Sequence, residues 1–138
     1  MLDTQQCDVS YELCNLVFKA NNKITFVAII NQRGRIEKSQ SHNSIIEKFS
    51  GVKKEMFLME NALWDRTRKE YDDDLGQVQY TYVRREKRGM LSFPIDDSQL
   101  LVSFKQRLNV PLLAKIITRI INKYKKKSSF TITQKTIG

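Results

Sequence analysis

At 138 residues the chain has the length of one domain with its own core. Its 41% hydrophobic and 28% charged content is globular rather than disordered, and its longest uncharged apolar run, Ile24 to Ile30, is far too short to span a membrane. The net charge of +9 is unevenly placed: Arg119, Lys123, Lys125, Lys126, Lys127 and Lys135 follow one another with no acid among them, so most of the excess lies at the C-terminal end. The first residues, MLDTQQCDVS, carry no basic and apolar leader pattern, which makes a cytoplasmic protein the expectation.

The first helix is predicted over Asp8 to Ala20, where Val9, Leu13, Leu16, Val17 and Ala20 recur at helical spacing, with Asp8 or Ser10 able to cap it. Residues before Cys7 show no such pattern and are expected to be irregular. Cys7 and Cys14 lack the spacing of a redox or zinc motif, so Cys14 reads as a small buried apolar residue. Ile24 to Asn31 is β-branched and apolar on both faces, as a central strand requires. Gln32-Arg33-Gly34 turns the chain, with Gly34 supplying positive φ, and the polar Arg35 to Gln40 returns as an edge strand.

Ser41 to Lys54 is ambiguous, with Gly51 reading as a break. Glu55 to Tyr71 is the second major helix, closed by Asp72-Asp73-Asp74-Leu75-Gly76. Three strands follow: Val78 to Arg85, Met90 to Ile95 with Leu91, Phe93 and Ile95 on one face, and Gln99 to Lys105. Asn109 and Pro111 open the last helix as cap and first-turn residue, and Leu113, Ile116, Ile117, Ile120, Ile121 and Tyr124 form its apolar stripe. This reading ends the domain at residue 127 and leaves 128–138 as a flexible basic tail.

Helix, two strands, helix, three strands, helix predicts an α+β domain: a five-stranded antiparallel sheet with helices on its faces. The order resembles that of the roadblock/LC7 (profilin-like) domain, in which a hydrophobic strand runs into a glycine turn, as FVAIINQRG does here, and a hydrophobic hairpin such as MLSFPIDDSQLLVSF follows the second helix. The stretches FVAIINQRGR, RTRKEYDDDLG and YVRREKRGMLSFPIDD further resemble a small uncharacterised family from ammonia-oxidising archaea, over about Cys14 to Ile121. The roadblock resemblance implies a homodimer joined through the second helix and the adjacent strand. Here those elements offer Met56, Phe57, Met59, Leu63 and Trp64 together with Val78, Tyr80 and Tyr82. The competing reading packs the helix residues under the Ser41 to Lys54 loop. The resemblance also implies a scaffold or regulatory role with a protein partner, such as a small GTPase, and supplies no catalytic residues.

No residue pattern argues for catalysis, a metal or a cofactor. His42, the sole histidine, lies in the polar SQSHNS run without an identifiable partner. Asp72 to Asp74 lack the ligand spacing of a calcium loop, and no phosphate-binding glycine loop exists in the chain. The main rival is nucleic-acid or other polyanion binding through Lys123, Lys125, Lys126 and Lys127, with Arg84, Arg85, Lys87 and Arg88 as a second basic group.

Overall fold

The computed structural model describes the backbone of residues 2–137 and the side chains of residues 10–125. The chain runs α1 (Leu2–Lys19), β1 (Ile24–Ile30), β2 (Ile36–Ser41), a 3-10 turn (Ile46–Lys48), α2 (Gly51–Lys69), a short α3 (Asp72–Leu75), β3 (Thr81–Arg84), β4 (Gly89–Ile95), β5 (Ser98–Phe104) and α4 (Val110–Ile137). The strands form one antiparallel sheet in the order β2-β1-β5-β4-β3. This is the expected fold class, with β1 and β5 central and the polar β2 on one edge.

Strand alternation sends independent side-chain sets to the two faces. On one face Val27, Ile29, Leu91, Phe93, Ile95, Leu100, Val102 and Phe104 pack under Leu13, Cys14 and Val17 of α1 and Leu113, Ala114, Ile117 and Ile121 of α4. On the other, Phe26, Ala28, Ile30 and Leu101 meet Ile46, Leu58 and Ala62. A fully buried side chain of this kind contributes roughly 1.5–3 kcal/mol, so the α1/α4 layer holds the larger share of the core.

Local chemistry explains the junctions. Asn31 Oδ1 accepts from the amides of Arg33 and Arg35 at 2.9 and 3.0 Å, tightening the β1–β2 turn. Gly34 sits there at φ +78°, and a Cβ on it would lie 2.7 Å from the backbone of Met59. The turn therefore packs directly against the α2 backbone at Leu58 and Met59. Asn109 Oδ1 accepts from Leu112 N at 3.1 Å, the expected cap of α4.

Four boundaries differ from the sequence reading. The α1 backbone is helical from Leu2, because nothing in its first turns is a glycine or proline and extending a helix is easier than starting one. By the same reasoning α4 continues to Ile137, so 128–137 is helical in backbone rather than irregular. Helix α2 starts at Gly51, not Glu55: Ser50 Oγ accepts from Lys53 N at 3.3 Å, so the glycine read as a break is the first helical residue behind a serine cap. Strand β3 begins at Thr81 rather than Val78. Its register with β4 would set Gln79 opposite Pro94, which has no N–H to offer the ladder.

The three aspartates also change meaning. They occupy the first turn of α3, where negative charge suits the helix dipole, instead of trailing α2.

Candidate interaction face

Helix α2 divides its apolar residues between two sides. Leu58 and Ala62 are buried on the sheet, and Phe57, half-buried, meets Phe49 edge-on at 5.8 Å. Met56, Met59, Leu63 and Trp64 point outward and are each more than half exposed. The loop before α2 thus covers Phe57 alone of the five helix residues expected at an interface. An exposed run of this length on a helix flank has an apolar character that solvent does not favour.

Trp64 is held at the rim by two neighbours: Arg68 lies over its ring at 5.4 Å, and its indole N–H donates to Glu60 Oε1 at 3.5 Å. One turn further on, the Lys69 ammonium donates to the carbonyl of Asp96 at 2.8 Å and lies 3.5 Å from Asp65. Burial pushes the Asp65 carboxyl above its ordinary value, and Lys69 offsets part of that.

The strand residues expected beside α2 lie elsewhere. Tyr82 pairs with Leu91 and stacks on Phe104 at 6.3 Å with the rings nearly parallel; Tyr80 tilts over Phe93 at 6.1 Å. Both tyrosines therefore stand on the α1/α4 face. Gly89 makes this possible, since a Cβ there would lie 2.5 Å from the Phe104 ring. Thr81 and Val83, paired with Ser92 and Met90, are the β3 residues that share a face with α2. Val78 is half-buried and lies outside the strand. What joins the two element groups is the free edge of β3, which pairs only with β4.

Between α2 and this part of the sheet lies a cleft of about 380 Å³, lined by Trp64, Phe57, Val83, Met90 and, from the sheet floor, Ser92, Gln99 and Ser103. Arg85 and Arg88 reach it from the β3–β4 turn. Gln99 and Ser103 were not singled out by sequence, because the run QLLVSF reads as apolar on both faces. A wider cleft of about 900 Å³ on the opposite face runs between α4 and residues 76–80, with Lys115, Arg119 and Lys125 facing Asp72 and Asp96.

The two basic groups do not form one patch. Strand β5 ends at Phe104 opposite Gly89, beside the Arg84–Arg88 turn, so α4 starts at that end of the sheet. Tyr124 near the far end of the described helix meets Ser10 of α1 at 3.5 Å, well before α1 leads into Ile24, which itself pairs with Phe104. Lys123 and Lys125 consequently lie toward the other end. Lys126 and Lys127 fall outside the described side chains. Arg84 donates to the carbonyl of Glu86 at 3.3 Å, while Arg85 and Lys87 are exposed. His42 is exposed at the end of β2. Among the described residues, no cluster of histidine, cysteine and acid is placed to hold a metal ion, and no helix is long and apolar enough to cross a membrane.

A family model described as a family of unknown function, DUF6659, matches residues 7–134. The chain belongs to the DUF6659 family. A comparison with curated proteins gives no match. Among solved structures, the DUF6659 chain is similar to the roadblock/LC7 domain from Streptomyces avermitilis, with a TM-score of 0.65 at 7% identity, covering 86% of this chain and 97% of that one. It is also similar to MglB of Myxococcus xanthus, with a TM-score of 0.65 at 13% identity, covering 87% and 90%. A structure described as MglB with tetrameric arrangement gives 0.58 at 9% identity, covering 85% and 90%. At these identities the likeness establishes the fold: this DUF6659 chain is a roadblock/LC7-like domain.

Proposed function

We propose that the chain is a non-catalytic interaction module that forms a homodimer through α2 and the free edge of β3 and presents the paired surface to a protein partner. The observation that carries this reading is the outward apolar run Met56, Met59, Leu63 and Trp64 beside an unpaired strand edge. Burying those side chains against a second copy removes apolar surface from water, and pairing β3 with itself satisfies the main-chain groups of the edge. The MglB structure with a tetrameric arrangement supports self-association as a habit of this fold. A small GTPase is the first partner class to test, on the analogy with roadblock domains.

Sedimentation equilibrium at two protein concentrations tests the dimer. Wild type is expected to be dimeric, and Met59→Asp and Leu63→Asp, both at exposed positions, monomeric with unchanged circular dichroism. A wild-type monomer at every concentration overturns the reading.

A second reading, polyanion binding through Lys123, Lys125, Lys126 and Lys127, is supported by the unbroken backbone of α4 to Ile137, which carries the lysine run on a helix rather than a loose tail. Binding to labelled DNA should then fall steeply with salt and depend on residues 126–138. Binding unaltered by deleting those residues rejects it.

A further inference from the structure

The cleft beneath α2 has a floor that self-association does not use. A sheet face covered by a helix is normally apolar, yet Gln99 and Ser103 are both only 3% exposed and stand beside Ser92 at the base of the cleft. Gln99 Oε1 is buried and has no hydrogen-bond partner, and neither has the buried Nη1 of Arg88. Covering this floor with an apolar side chain from a second copy would leave an acceptor and a cationic donor stranded. The cleft wall is aromatic, with Phe49, Phe57 and Trp64, and its mouth is cationic, with Arg85 and Arg88 from the β3–β4 turn. Its volume of about 380 Å³ falls in the range of small-molecule sites.

We propose that this cleft binds a small ring-bearing organic anion of the nucleoside-monophosphate class. The anionic group meets Arg88 and Arg85, a base N–H (ring or exocyclic) donates to Gln99 Oε1, and the flat face of the ring lies along the Trp64 wall. Arginine guanidinium groups suit phosphate oxygens in both charge and geometry. A neutral apolar ligand would satisfy neither orphaned group, and free phosphate would leave Gln99 and the aromatic wall unused. The two arginines, Gln99 and the sheet floor of the site all belong to one copy of the chain, while Trp64 is shared with the proposed dimer surface, so the titrations are run at one fixed protein concentration.

Trp64 is the sole tryptophan, and its emission reports on the cleft directly. The full-length chain is titrated with GMP and AMP, and separately with inorganic phosphate. The expected result is a saturable change with at least one nucleotide and binding of inorganic phosphate about tenfold weaker or worse. Gln99→Leu and Arg88→Gln should each weaken nucleotide binding about tenfold, the scale of one lost charged or buried hydrogen bond. Arg88 lies in a turn, so its replacement tests the site even if Gln99→Leu fails to fold. Lys19→Gln, exposed on α1 across the sheet from the cleft, should bind as wild type.

No saturable response to either nucleotide overturns the proposal, as does equal affinity for inorganic phosphate or unchanged binding by Arg88→Gln. Emission that follows protein concentration but ignores nucleotides also overturns it, while leaving the homodimer standing, because a second copy would then fill the cleft.

Discussion

The two faces of the sheet are built from the same five strands yet end in opposite conditions. The face under α1 and α4 is closed: Phe93, Phe104, Leu91 and Leu100 are essentially inaccessible, and two helices cover them. The face under α2 is closed over β1 and the middle of β5, where Phe26, Ala28, Ile30 and Leu101 meet Leu58 and Ala62, and toward β4 and β3 it opens into a cleft with a polar floor. Because alternate residues of a strand face opposite ways, one face can be filled for stability while the other keeps polar residues and an uncovered helix flank. The filled face and the open one are thereby separated by a single strand's thickness.

The sharpest way to break that contrast is a pair of aromatic deletions. Phe93→Ala should cost about 3–5 kcal/mol in urea unfolding, because the closed face cannot collapse into the void. Trp64→Ala, measured at concentrations where the chain is monomeric, should stay within about 0.5 kcal/mol of wild type. Equal losses would mean that α2 is as tightly packed as the other layer.

A second test addresses what holds α2 at all. Gly34→Ala places a Cβ against the Met59 backbone at positive φ, and a residue forced into such backbone conformations costs of order 1–3 kcal/mol. Ser50→Ala removes the cap of the same helix and should cost about 1 kcal/mol. If the cap matters more than the crossing, α2 is held by its own end and not by the β1–β2 turn.

Smaller effects sharpen the contrast chemically. Burial pushes the Cys14 thiol up to about 11, so it is almost wholly protonated at neutral pH. In a Cys7→Ser background it should react with a disulfide reagent only at the rate of unfolding; rapid native reaction would show that the closed face opens readily.

The smallest effect concerns Asp65. Its folded carboxyl titrates above its unfolded value of 3.8, so the stability tied to its protonated form is complete below that value and is lost as pH rises through the folded one. The gap in urea midpoint between Asp65→Asn and wild type should therefore shift in favour of the variant as pH is raised from 3 to 7. A gap independent of pH would show that Lys69 fully offsets burial.

The closed face was legible in the sequence because both of its signals are periodic: every second residue in β4 and every third or fourth in α1 and α4. Leu91, Phe93 and Ile95 were assigned to one face and are buried together. The open face was less so. Gly51 is a helix breaker by composition, and only the serine before it and the bond to Lys53 make it a helix start. Tyr80 and Tyr82 were grouped with α2 because chain proximity says nothing about which side of an edge strand meets which helix. Gln99 looked like a strand boundary, and its burial depends on β1 and α2, which are far from it in sequence. Pro94 did carry a readable signal: opposite an edge strand, it marks where pairing stops.

The strand order has a consequence for how large an assembly can grow. One margin of the sheet, β2, alternates between half-buried and exposed residues and carries Glu37 and Lys38, which discourages annexation by foreign strands. The other margin, β3, is four residues long and unpaired on its outer side. If two copies join by that short margin about a two-fold axis, each uses the only adhesive border it has, and the composite sheet is bounded on both sides by β2. Growth then stops at ten strands by geometry alone, with no need for a separate element to prevent a fibre.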